Sequence, residues 1–394
     1  MTEQEIATGA SRSPEASVGP EHHHALRDTA TEFVRREVLP HLQAWEDAGE
    51  VPRELHAAAA KQGLLGIGFP EEVGGSGGTL MDSVVMQEAC FAAGASSGLM
   101  AALFTSGIAL PHIAASGNRD LVDRFVRPTL AGELIGSLAV TEPGGGSDVA
   151  GIRTTARRDG DHYVVDGGKT FITSGVRADF VTTAVRTGEP GHTGLSLLVI
   201  EKGTPGFTVD RALSKMGWHC SDTAELGFDA CRVPLANLVG EEGSGFYQIA
   251  EQFVVERISL AVHGYGIAAR SLERAAAYAR QRETFGKPLM ANQVVRHALV
   301  EMHRQVEVAR AYTHEVVRRH EAGENVVAEA CLAKQTAVDT AAHVCDQAVQ
   351  LHGGTGYLHG TEVERHYRDA RILPIGGGAD EVLADLAARL LGYA

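Results

Sequence analysis

The chain has 394 residues, of which 44% are hydrophobic and 22% charged, ordinary proportions for soluble globular proteins and enough length for two or three packed units. Lysine and arginine total 35 against 50 aspartates and glutamates, a formal charge of −15, which argues against a protein that tracks a nucleic-acid phosphate backbone. No apolar run approaches the roughly 18 residues of a membrane-spanning helix; the longest candidate, Leu99 to Gly117, is interrupted by Thr105, Ser106, Pro111 and His112.

The opening MTEQEIATGASRSPEASVGP has neither the cationic start nor the apolar core of a secretion signal, so the expected location is cytoplasmic. Residues 1 to about 22 lack periodic apolar positions and read as a mobile tail, with 1–24 set apart from the folded chain. His22, His23 and His24 follow, and three adjacent histidines on a helix start point in three directions, towards solvent rather than a metal. Phe33, Val34, Val38, Leu42 and Trp45 then recur at helical intervals. Pro52 opens a further helix that Gly63 closes.

After the glycine-rich turn Glu71 to Thr79, Leu80 to Ala93 and Gly98 to Ala115 read as two helices rich in small residues. From about Leu134 to Gly240 the texture changes to strands, as in HYVVDGGKTFIT, where a DGG turn is expected between two extended runs. Beyond Gly245 the chain is helical again, with segments 246–282, 289–322, 326–352 and 380–392. Helices this long imply a bundle packed on itself or on other subunits. The expected class is α+β, mostly α: a helical unit over 25–133, a β unit over 134–243 and a helical bundle over 244–394. The five cysteines stand among apolar or small neighbours without a CxxC, which points to reduced core thiols and no metal.

Four segments carry candidate chemistry. TEPGGGSD (Thr141 to Asp148) ends a strand pattern, and its glycines let backbone approach a ligand; taken alone it reads rather as a tight turn. Phe171 and Thr173 place an aromatic ring and a hydroxyl near that loop. RETFGKP (Arg282 to Pro288) ends a long helix, leaving Arg282 to grip a pyrophosphate or to lie solvated. QLHGGTGY (Gln350 to Tyr357) opens another helix end with glycines, and Gln293 starts a further helix.

In order and spacing, TEPGGGSD, the FITSG segment, KMGWHCSDTAEL, RETFGKP, QLHGGTGY and RDARILPIGGG resemble the acyl-CoA dehydrogenase family over nearly the whole chain from residue 25 to 392. That resemblance implies an N-terminal α-helical domain, a middle β-barrel domain and a C-terminal four-helix bundle, usually a homotetramer with one FAD per subunit. It implies α,β-dehydrogenation of an acyl-CoA thioester, with hydride passing to the flavin and electrons leaving to an electron-transferring flavoprotein. Carried over by position, Leu138, Val140, Thr141 and Ser147 face the flavin or acyl chain, and Phe171 and Thr173 flank the ring. From a neighbouring subunit, Arg282, Phe285, Gln293, Gln350, Gly353 and Gly354 complete the FAD cradle.

The reaction needs a carboxylate to remove the α-proton. Many family members carry it in the loop after an RDA segment, where this chain has Gly377. Isovaleryl-CoA and long-chain acyl-CoA dehydrogenases instead place an E-R pair on a helix, and FVVERISL supplies Glu256 as base with Arg257 as a substrate-side neighbour. The apolar residues around Glu256 should raise its pKa. Gly377 retains a backbone N–H that can donate to the thioester carbonyl. Phe104 either floors the acyl cavity or belongs to the helical core. A carrier-protein thioester in place of CoA, a flavin monooxygenase or oxidase, and a non-catalytic binding subunit are the competing readings; an α-proton base argues for dehydrogenation.

Overall fold

The computed structural model describes residues 20–394; the expected tail lies outside them except for its last residues, 20–24, which begin a helix instead. That helix, α1 (Pro20–Phe33), starts on a proline with Glu21 in its first turn, both favourable at an N-terminus. A π-turn (Val34–Val38) leads to α2 (Leu42–Ala48). The histidines do not all face solvent: His22 and His23 Nε2 lie 3.2 and 3.1 Å from Asp82 Oδ1. Asp82 Oδ2 is engaged in a capping box with Thr79, which leaves the other oxygen for the imidazoles.

Helix α3 (Arg53–Lys61) has Pro52 as its N-cap, and Gly63 follows at φ 74°. Helix α4 (Leu80–Ala93) matches its sequence pattern and stops at Gly94. The expected helix Gly98 to Ala115 is broken into α5 (Ser97–Leu103), α6 (Ser106–Ala109) and α7 (Pro111–Ala115). Thr105 causes the first break, bonding back to Ala101 O at 2.9 Å and across to Ser174 Oγ at 2.7 Å. Pro111 imposes the second by lacking an N–H. Short helices α8 (Arg119–Leu121) and α9 (Arg127–Leu130) lead into the sheet.

The middle of the chain forms one sheet from β1 (Gly136–Ala139), β2 (Thr155–Asp159), β3 (His162–Thr173), β4 (Phe180–Arg186), β5 (Leu195–Glu201), β6 (Phe207–Ala212), β7 (Thr223–Pro234) and β8 (Leu238–Val239). Its order is β6-β7-β3-β2-β4-β5-β8, with β1 added in parallel to β4. Strands β1 to β5 and β7 build a core containing Tyr163, Val165, Val181, Leu198, Leu226 and Cys231, with Phe207 of β6 and Leu238 of β8 packed against it and no α-helical residue taking part. The sheet therefore curls around its own interior. The opposite face, with Phe180, Leu195 and Leu197, packs on Leu110, Ile113, Phe125 and Ile249.

The DGG segment is not a turn: β3 runs straight through it, with a register shift against β7 between Val165 and Gly167. Gly167 has φ 147°, and a Cβ there would stand 2.6 Å from Thr154 Oγ1. The composition of a hairpin turn here serves a bulge that re-aims the rest of the strand.

The C-terminal region contains α10 (Gly245–Gln281), a hairpin of β9 (Glu283–Thr284) and β10 (Lys287–Pro288), α11 (Gln293–Glu321), α12 (Val327–His352), α13 (Glu362–Ala370) and α14 (Asp380–Leu390). Helices α10 and α12 run side by side in the same direction. A Cβ on Gly264 would lie 2.7 Å from Ala337 O, and fourteen residues further along α10 the Tyr278 ring stacks on His352 at 4.4 Å. No helix among the described residues is long and apolar enough to cross a membrane, and no group of three or more His, Cys, Asp or Glu residues among them could hold a metal. All five cysteines are buried and free.

Candidate active site

Glu256 lies about three turns into α10, where Val254, Ile258 and Ala261 are buried on either side of it. Desolvation pushes its carboxyl up to about 6 against the opposing pull of the Arg257 charge, the direction expected of a carboxylate in an apolar wall. It makes no hydrogen bond or ion pair within the described residues, so nothing in the chain competes for its proton.

The C-terminal loop comes directly to it. Gly377 sits at φ 65°, and a Cβ built there would lie 3.6 Å from Glu256 Oε1 and 2.2 Å from Leu260 Cδ1. Glycine is thus required twice, by the left-handed backbone and by the Leu260 side chain. The two positions singled out as catalytic, 121 residues apart in sequence, meet in space.

Arg257 follows directly on the same helix. It is buried, with its guanidinium 5.5 Å from the Phe253 ring centroid and no acceptor for Nε. Its charge is felt by Cys331 and Lys334 on α12, which puts it behind the acid and inside the bundle.

On the sheet, β1 ends at Ala139 and the chain turns through Thr141 to Ser147. Two buried groups shape this turn. Lys169 Nζ donates to Val140 O at 3.0 Å and to Glu142 Oε1 at 2.9 Å. Glu142 also accepts from Arg153 N at 2.7 Å and Thr154 N at 2.8 Å. The Lys169 ammonium is lowered to about 8 by burial despite this partner. Thr170 N donates to Thr141 O at 2.9 Å, so the end of β3 and the loop move as one piece. Gly144 and Gly145 open onto empty space, and Ser147 is exposed.

Phe171 has φ 60° and is 67% exposed, on a second irregularity of β3 between Lys169 and Ile172. The bulge turns an aromatic ring outward where strand alternation would not. Thr173 pairs with Thr223, and its carbonyl accepts from Ser137 Oγ at 2.5 Å, next to Leu138 on β1. Val140 and Phe253 pack on the same apolar cluster, which brings this loop beside the early turns of α10. Phe104 and Leu260 border a second cluster together.

A second set of residues gathers elsewhere. RETFGKP is not a simple helix end: β9 and β10 pair as a hairpin with Phe285 and Gly286 at φ 52° and 73°, the pattern of a two-residue type I′ turn. Phe285 is fully exposed at its tip. The Arg282 backbone is engaged with Tyr278 and Leu289, while its guanidinium has no hydrogen bond or ion pair among the described residues. Gln293 lies 3.3 Å from His297 through its amide. Gln350, Gly353 and Gly354 are exposed at the end of α12, joined to this group by the Tyr278 stack on His352.

These two sets are far apart within one chain. Glu256 and Arg282 are separated by 26 residues of a helix that rises 1.5 Å per residue, about 39 Å. An open glycine loop and an outward aromatic at one end, with an unpartnered guanidinium and an exposed phenyl ring at the other, suit an elongated dinucleotide whose ring and phosphates are gripped by different copies.

Sequence reading passed over Lys169, Glu142, Lys334 and Asp380, each of which orders a site loop. Nothing local marked them: Lys169 stands next to Thr170 and Lys334 next to Gln335, company in which a lysine reads as surface. Ser174 is buried at φ 59° with its hydroxyl on Thr105.

A helical unit, a self-enclosing sheet and a helical bundle, with an acid and a glycine loop meeting at the bundle, agree with the dehydrogenase architecture that the sequence resemblance implies. The family models for the acyl-CoA dehydrogenase N-terminal, middle and C-terminal domains match residues 20–133, 137–231 and 243–392. The chain belongs to the acyl-CoA dehydrogenase family and is an oxidoreductase. It is 38% identical over 372 residues to the mitochondrial long-chain specific acyl-CoA dehydrogenase of Rattus norvegicus, covering 93% of this chain and 86% of that one. It is 37% identical over 358 residues to an acyl-CoA dehydrogenase of Bacillus subtilis, covering 91% and 94%. A crystal structure of a probable acyl CoA dehydrogenase from Mycobacterium abscessus superposes with a TM-score of 0.94 at 60% identity, covering 96% of this chain and all of that one.

Proposed function

We propose that this protein is an FAD-dependent dehydrogenase that converts an acyl-CoA thioester to the trans-2-enoyl thioester, with Glu256 as the α-proton base. The observation that carries the assignment is the meeting of Glu256 with the Gly377 loop: an acid brought to about 6 by desolvation, standing where a side chain at 377 would begin. Near neutral pH most of the carboxyl is ionised, yet its proton affinity exceeds that of a solvated glutamate, the balance a general base needs.

The chain's own groups have distinct tasks. Glu256 takes the α-proton, and its lack of any hydrogen-bond partner leaves both oxygens free to do so. The Gly377 N–H donates to the thioester carbonyl and steadies the negative charge that grows there. Lys169 and Glu142 hold Val140 and Thr141 in place for the flavin, and Leu138, Ser147, Phe171 and Thr173 border it. Arg282, Phe285, Gln293, Gln350, Gly353 and Gly354 hold the pyrophosphate and adenine end of the same cofactor from another copy, which accounts for the 39 Å between the sets and for a homo-oligomer, a tetramer in this reading. When bound, the flavin supplies the acceptor for the β-hydrogen as hydride; an electron-transferring flavoprotein is the proposed onward acceptor. Phe104 limits the acyl chain.

Anaerobic titration of the purified yellow protein with straight and branched acyl-CoA thioesters tests the assignment. Bleaching of the flavin absorbance by at least one of them is the expected result. Bound flavin that no acyl-CoA bleaches would refute it.

A further inference from the structure

Within the loop that carries Gly377, Ile375 N and Gly376 N donate to Ile372 O and Asp380 N donates to Pro374 O, and none of these bonds engages Gly377 or Gly378. Three glycines follow one another, two of them at φ 65° and 99°, and such a stretch has more backbone freedom than any other tripeptide. A donor aimed at developing charge is effective only if its position is fixed in advance. What fixes it comes from α12. Lys334 has no exposed side-chain surface; one of its acceptors belongs to this loop, Gly378 O at 3.1 Å, and the other, Asp380 Oδ1 at 2.8 Å, opens α14 directly after it. The adjacent Gln335 donates to Asp380 O at 2.8 Å, and Asp380 N closes the turn onto Pro374 O at 3.1 Å.

We infer that Lys334 and Asp380 form a clamp that positions the Gly377 N–H against the thioester carbonyl, so that Lys334 and Asp380 are positioning residues for enolate formation. This rests on the dehydrogenase reading of the Glu256 site and adds the device that orients its second catalytic element. The logic is that of a buried ammonium. If the loop swings away, Lys334 loses an acceptor inside the bundle, so displaced loop conformations are penalised. Burial lowers the Lys334 proton affinity and Asp380 raises it, with Arg257 opposing. Asp339, whose own carboxyl is raised by burial and by Asp380, and Cys331 complete the ionisable groups facing the ammonium.

The experiment uses flavin-loaded Asp380→Ala, Asp380→Asn and Lys334→Met, with two readouts. The first is the limiting rate of flavin reduction and the thioester concentration giving half that rate. The second is the pH at which a bound 3-oxoacyl-CoA ionises to its enolate, followed by its absorbance without turnover. Asp380 is partly exposed, so its variants report even if Lys334→Met does not fold. The expected result for Asp380→Ala is a limiting rate lower by about a hundredfold, the order of effect of a small misplacement of a catalytic group. Half-saturation should change far less, and ionisation should shift to higher pH. Asp380→Asn, which keeps an acceptor, should fall between. Wild-type rate and ionisation pH in Asp380→Ala would overturn the clamp while leaving the dehydrogenase intact. A proportionate loss of flavin and thioester binding with an unshifted ionisation pH would overturn it as well, showing a merely structural pair. A wild-type protein that no acyl-CoA bleaches would remove the reading on which the clamp rests, and the clamp with it.

Discussion

Replacing Glu256 by glutamine should make the protein more stable and less active at once, with a stability gain that depends on pH in a defined way. Burial holds the Glu256 carboxyl at about 6 instead of the ordinary 4.5, so the folded state binds its proton more tightly than the unfolded chain does. Its favourable contribution is fully present below pH 4.5 and is lost as pH rises through 6. At 1.36 kcal/mol per pH unit the loss is about 2 kcal/mol. Glutamine carries no charge at any pH and escapes this loss. The stability difference between Glu256→Gln and wild type should therefore be level below pH 4.5, grow between 4.5 and 6, and level off above 7 about 2 kcal/mol in favour of the variant. Urea unfolding of both proteins, equally loaded with flavin, across pH 4 to 8 measures it, and taking the difference cancels the other titrating groups. The same variant should lose flavin reduction by several orders of magnitude, whereas the wild-type rate should rise with pH to a plateau with its midpoint near 6. A stability difference that does not vary with pH would refute the claim that the carboxyl is desolvated, and full activity would refute its role.

Three further outcomes follow from the geometry. Gly377→Ala should lower stability by about 1–3 kcal/mol, because its Cβ meets Leu260 and its φ is left-handed; thermal unfolding measures this, and adding Leu260→Ala should recover part of it. Lys169→Met leaves the Glu142 carboxylate with only its backbone donors and should cost about 3 kcal/mol together with flavin retention, read as the ratio of flavin to protein absorbance after gel filtration. If each site draws on two copies, then Glu256→Gln and Arg282→Ala chains, each deficient alone, should regain activity when co-expressed, since one site of each mixed pair is intact. No recovery in isolated mixed oligomers would place both residues in one site of one chain.

The long helices were legible because periodicity and end signals agreed: α12 and α4 begin and end within a residue or two of their sequence patterns. The failures arose where one local signal has two tertiary uses. DGG is as good a bulge as a turn, and only the partner strand β7 and the crowding of Gly167 by Thr154 decide between them. The break at Thr105 depends on Ser174, 69 residues away, which no window of sequence contains. At the candidate site the apolar flank of Glu256 was readable and the direction of its pKa followed from it. Its approach to Gly377 was implied only through family resemblance, since nothing local to either residue names the other. Lys169 and Lys334 were missed because a lysine ordinarily signals a solvated surface, and here both ammoniums are enclosed by the carbonyls and carboxylates they organise.

Helix α10 acts as a ruler as much as a wall. With Glu256 near one end and Arg282 at the other, inserting a single residue between them would advance one end by 1.5 Å and rotate it by about 100°, turning either the acid or the guanidinium away from its site. Substitutions along the shaft are tolerated or not on packing grounds, as at Gly264 and Gly266. In the proposed assignment a change in length is felt at both ends simultaneously, so the spacing between the proposed base and the proposed cofactor grip is written into a residue count.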